Sequence, residues 1–124
     1  MEAVRRVAPF GVAAAFAGSG VLHLLAPRPY VAIVPRVLPQ RLLLVRVSGA
    51  LELVCAAGLL GGRRWAGPAS AALLVAVFPA NVQMALDSGS GRLPGLADSR
   101  LVAWGRLPLQ APLVWAALQH RPRR

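Results

Sequence analysis

The feature that most constrains this chain is a set of four apolar runs, at residues 7–26, 42–61, 66–86 and 101–118. Each has about the 20 residues that an α-helix needs to cross the ~30 Å hydrocarbon core of a bilayer at ~1.5 Å per residue. A backbone surrounded by lipid must satisfy its own polar groups, so runs of this length read as helices. The expected fold is all-α: a single membrane domain over residues 1–124, built as a four-transmembrane-helix bundle. A Pro-rich interfacial segment lies between its first and second helices. Composition agrees, because a chain that is 56% apolar, with a mean hydropathy of +0.57, is greasier than an ordinary soluble domain.

The net charge of +10 comes from 14 arginines, with no lysine, against Glu2, Glu52, Asp87 and Asp98. A basic balance raises the question of nucleic acid. Here the arginines fall between the apolar runs and at the ends, in pairs such as Arg5–Arg6 and Arg63–Arg64, and form no stripe on a soluble helix. That placement reads as topology signal and contact with anionic lipid headgroups, and excludes a nucleic-acid partner. Cys55 is the only cysteine, which rules out an internal disulfide, a CxxC redox pair and a Cys-rich metal site. The first run continues through Leu25 with no A-x-A-like site, so it reads as a retained helix and not a cleaved leader.

Within the first run, Gly11, Ala15, Gly18 and Ser19 recur at three- and four-residue spacing, which suits close approach by another helix. His23 falls one turn beyond Ser19. Four prolines in residues 27–41 forbid a long helix there, yet the segment stays apolar and belongs at the headgroups or over the bundle mouth. In the second run Ser48, Gly49, Glu52, Cys55 and Ala56 share one face. Pro79 should kink the third run and free a carbonyl near Val75, with Asn81 and Gln83 just beyond it. The fourth run holds Arg106 and Gln110 one turn apart, with Pro108 and Pro112 making it irregular.

Four spans put both termini on one side of the membrane. Seven arginines (5, 6, 63, 64, 121, 123 and 124) fall on that side and five (28, 36, 41, 92 and 100) on the other. The bias places both termini in the cytoplasm. Ser48, Asn81, Arg106 and His23 then fall in the outer half of the bilayer, and Glu52 is deepest, at roughly 15 Å. The expectation is a polar pocket opening outward, with Glu52 as its floor and residues 27–41 as a partial lid. An acid at that depth is costly, and is a site hypothesis by default. Glu52 and Arg106 are the natural pair, serving either as a register-fixing salt bridge or as a binding site. Glu52, Arg106, Gln110, Asn81, His23 and Ser48 are the candidate ligand-binding residues. Tyr30 and the tryptophans read as interface anchors. His23 lacks partners at its end of the bundle, so no metal site is expected.

Several stretches carry a family resemblance: GVLH at residues 20–23 followed by Pro27, IVPRVLP at 33–39, SGALEL at 48–53, VFPANVQMA at 77–85 and RLPLQAPLVWA at 106–116. Together they resemble the DoxX-like family of small bacterial integral membrane proteins, over about residues 7–118. The resemblance implies a four-helix membrane bundle, and places His23, Glu52, Asn81, Arg106 and Gln110 in family motifs. The family takes its name from subunits linked to quinone-dependent sulfur oxidation, and some relatives are associated with membrane redox complexes, whereas most members have no assigned activity.

The functional expectation is an accessory protein of the bacterial inner membrane that is not an enzyme on its own. It would bind a lipophilic ligand, quinone or lipid, with no other cofactor. Its partners would be membrane lipids, redox-complex subunits and, through its small-residue faces, further copies of itself. The alternatives are a subunit of a membrane quinone-linked oxidoreductase in which Glu52 handles protons, and a purely structural helix bundle.

Overall fold

The computed structural model describes residues 1–91 and 98–123; Arg92 and Arg124 of the charge tally lie outside the described residues. Every regular element is helical. These are α1 (Glu2–Leu25), α2 (Arg28–Ile33), α3 (Arg41–Leu60), α4 (Ala66–Asp87), α5 (Arg100–Arg106) and α6 (Gln110–Leu118).

Three of them, α1, α3 and α4, are long and apolar enough to cross a membrane. No more than 39% of the most apolar stretch of any of the three is buried inside the protein. Large apolar side chains such as Val7, Leu25, Leu43, Val54, Val75 and Leu86 face outward. Soluble monomers rarely expose apolar surface on this scale, and the three helices suit a membrane protein.

α1 begins more than a turn before the apolar run, because Glu2 and Arg6 form an i,i+4 ion pair of 3.6 Å across its first turns. Pro27 and Pro29 end it, and Pro29 sits in the first turn of the short α2, where its missing N–H costs nothing. Gln40 takes a left-handed conformation (φ 50°) to turn the chain into α3. The Gly61–Gly62 turn then reverses it into α4, with Gly62 at φ 69°.

The fourth apolar run is divided in two. α5 stops at Arg106, residues 107–109 form turns around Pro108, and α6 starts at Gln110. Proline removes one ladder hydrogen bond and clashes with the preceding turn, so the helix restarts beyond it. α4 does continue through Pro79. On the same helix the Leu74 carbonyl accepts a hydrogen bond from Gln110 Nε2 of α6; the carbonyl that Pro79 deprives of its helical donor is that of Val75, four residues before it.

The main core joins Val12, Ala13 and Phe16 of α1 to Cys55, Ala56 and Leu59 of α3, with Leu74 and Ala117 closing it. The α3 face that buries Gly49, Glu52, Cys55 and Ala56 is the one its spacing defines. On α1 the contact is not the one the spacing suggested. Gly11 and Gly18 face open space, and the close approach is made by Gly20 against Gly49. A Cβ on Gly20 would lie 2.8 Å from the Gly49 carbonyl oxygen, and one on Gly49 would lie 2.5 Å from His23 Cβ. A smaller core of Ile33, Met84, Ala85 and Ala103 ties α2, α4 and α5 together at the same end of the bundle.

Candidate functional site

The end of α1, the first half of α3, the second half of α4 and α2 with its following turn enclose a cavity of about 320 Å³. Most of its wall is aliphatic: Ile33, Val34, Leu51, Leu73 and Val77 are representative. Its polar lining is Ser19, His23, Tyr30, Ser48, Glu52, Asn81 and Arg106. Apolar walls with a few convergent polar groups are the usual make-up of a small-molecule pocket.

Glu52 is 4% exposed although it is a carboxylate. The Gly20–Gly49 approach brings α1 close enough to set His23 Nδ1 3.6 Å from Glu52 Oε2. That separation is too long for a hydrogen bond. His23 Nδ1 instead lies 2.6 Å from the Ser19 carbonyl oxygen. A carbonyl only accepts, so this nitrogen carries a proton and donates it there. The Ser19 hydroxyl stands 3.2 Å from the same nitrogen. Tyr30 stacks on the imidazole, with ring centroids 3.9 Å apart and planes at 23°. His23 is thus fixed at one nitrogen and over one face. Burial pushes the Tyr30 hydroxyl above the usual tyrosine range, so it stays a neutral donor at physiological pH.

Glu52 Oε2 and, one turn earlier on α3, Ser48 Oγ are fully buried and make no hydrogen bond among the described residues. Native structures pair the large majority of such atoms, and an unpaired one calls for an explanation. Both residues line the cavity.

The pairing expected from the sequence differs in the structure. Among the described residues no ion pair joins Glu52 to Arg106; the nitrogen beside the carboxylate belongs to His23. The cause is the break at Pro108, which leaves Arg106 at the end of a seven-residue helix, exposed but on the cavity wall. Of the candidate residues, Glu52, His23, Ser48, Asn81 and Arg106 all line the cavity. Gln110 does not; its amide is spent on the Leu74 carbonyl. Gln83 likewise turns away, donating to Asp87 Oδ2 at 3.0 Å. Ser19 and Tyr30 are site residues that the sequence reading assigned elsewhere. The four-residue step from Ser19 to His23 was the available signal for the first. Tyr30 reaches the site only because the chain folds back at Pro27. Among the described residues there is no group of three or more His, Cys, Asp or Glu to hold a metal ion.

Fold and site together define an all-helical protein with three helices fit to cross a membrane and a largely apolar cavity with a buried acid in its wall. The chain belongs to the family described as a domain of unknown function, DUF8561, which matches residues 12–121. No curated protein and no solved structure matches it.

Proposed function

We propose that this chain is an integral protein of a bacterial inner membrane that binds a lipophilic molecule with a polar head, a quinone or a lipid, in the cavity beside Glu52. One observation carries the reading: two buried side-chain oxygens, Ser48 Oγ and Glu52 Oε2, have no hydrogen-bond partner among the described residues and belong to residues of one cavity wall. A ligand head that donates a hydrogen bond would satisfy them, and the aliphatic wall would take its apolar body.

In this reading α1, α3 and α4 cross the bilayer, and α5 with α6 makes the fourth crossing as a broken helix. Both termini are cytoplasmic, and residues 27–41 lie at the outer interface as a lid. The exposed apolar faces of α1, α3 and α4 support the membrane placement, as do Ile33, Val34, Pro35 and Leu38 on the cavity wall for the lid. The protein acts as an accessory subunit, and the DoxX-like resemblance favours a redox complex as its partner. The His23–Glu52 contact favours a second reading, in which the acid and the imidazole accept protons from a bound quinol.

The test is mass spectrometry of small molecules extracted with the protein in its native lipid, wild type beside Glu52→Gln. A quinone or a specific lipid retained by the wild type and depleted in the variant is expected. Equal amounts in both would contradict the proposal.

A further inference from the structure

The opposite end of the bundle carries a second recess, of about 240 Å³, with a different chemistry. Three arginines, Arg6, Arg121 and Arg123, belong to its wall. The carboxylate beside them is Glu2, 2.8 Å from Arg121 Nη2 and 3.6 Å from Arg6 Nε. One carboxylate against three guanidinium groups leaves a local charge near +2.

The backbone around these arginines is held in place. The Arg123 N–H donates to the Gly62 carbonyl at 2.9 Å. His120 Nε2 donates to the Arg63 carbonyl at 2.8 Å. The stem of Arg123 lies against Gly62, where the left-handed backbone and the lack of a side chain make room for it. Its guanidinium has no hydrogen-bond or ion-pair partner among the described residues.

The remaining wall is apolar, formed by Pro9, Phe10, Leu59 and Leu60. Phe10 and Leu60 are each 53% exposed on the outer surface of α1 and α3. The recess therefore joins an anion-binding corner to an apolar flank that continues along the helices. A free oxyanion would use only the first. A phosphodiester carrying acyl chains would use both, with its oxygens on the guanidinium forks and its chains over Phe10 and Leu60.

We infer that this recess binds the headgroup of an anionic phospholipid and so seats one lipid at the basic end of the bundle. The inference does not rest on the function proposed for the other cavity.

The full chain in detergent would be titrated with equal amounts of phosphatidylglycerol and phosphatidylcholine of identical acyl chains and read by native mass spectrometry. A one-to-one phosphatidylglycerol adduct should dominate. Arg123→Gln should weaken it about fivefold, the effect of one arginine at a charged lipid surface. Arg123 spends no side-chain bond on the fold, so this variant keeps its structure. Arg64→Gln removes the same charge from the same end, outside the recess, and should leave the adduct unchanged. Equal losses in the two variants, or equal binding of the two lipids, would overturn the site. So would full displacement of the lipid by millimolar inorganic phosphate, which would make the recess a free-phosphate site.

Discussion

Gly20 and Gly49 meet backbone to backbone, and a Cβ on either would lie 3.0 Å or less from the other's carbonyl oxygen. This contact sets the distance between α1 and α3, and with it the place of His23 beside Glu52. Gly49→Ala should separate the helices and lower stability by about 1–3 kcal/mol, the usual cost of overpacking. Gly11→Ala, which faces open space, should be neutral or slightly stabilising. Thermal unfolding in detergent checks both, and equal effects would contradict the placement of the contact.

His23 Nδ1 is the side-chain nitrogen that stands beside the buried Glu52 carboxylate, 3.6 Å from Oε2. His23→Leu should therefore be costly, on the order of 3 kcal/mol, because it strands the acid. The double variant His23→Leu/Glu52→Leu should recover most of that loss while losing any cavity ligand. Strictly additive losses in thermal unfolding would show that the two side chains do not act as a pair.

Gln110 serves the fold. Gln110→Leu leaves the Leu74 carbonyl without its side-chain donor, and should cost about 1–2 kcal/mol with ligand retention unchanged. If ligand is lost while stability is intact, Gln110 belongs to the binding site instead.

The crossing proposed for α3, and its direction, can be read with a membrane-impermeant thiol reagent in a Cys55→Ser background. Val37→Cys, in the exposed turn after α2, should label in intact spheroplasts. Arg64→Cys, in the turn between α3 and α4, should label only after the membrane is opened. The reverse pattern would invert the proposed topology, and labelling of both in intact spheroplasts would contradict a crossing by α3.

Much of the helical layout was legible in the sequence because run length and proline position are local properties. α3 and α4 begin and end within one residue of their apolar runs. The fourth run was not legible as a single helix. Pro79 and Pro108 look alike in a sequence, yet α4 passes through the first and the chain breaks at the second. Residue type and spacing do not separate these cases, because a proline removes the same N–H wherever it falls. The site was legible as a set of polar residues and not as a set of pairs. Glu52 and Arg106 are opposite charges that a regular fourth helix would have brought together. His23 reaches Glu52 through a glycine contact between two helices, which no spacing within either helix encodes. Tyr30 was hidden for the same reason, because its stacking on His23 depends on the path of the chain after Pro27.

The proposed function requires that the cavity beside Glu52 hold a lipophilic molecule. The most direct measurement fills that cavity without touching its polar groups. Ala76 lies on the cavity wall and is exposed, so a tryptophan there occupies the space with little strain on the core. Ala72 is an exposed residue of the same helix outside the cavity. Small molecules extracted with wild type, Ala76→Trp and Ala72→Trp would be quantified per mole of protein by mass spectrometry. A specific amphiphile near one per chain is expected in wild type and Ala72→Trp, and its loss in Ala76→Trp. Equal retention in all three proteins would contradict it.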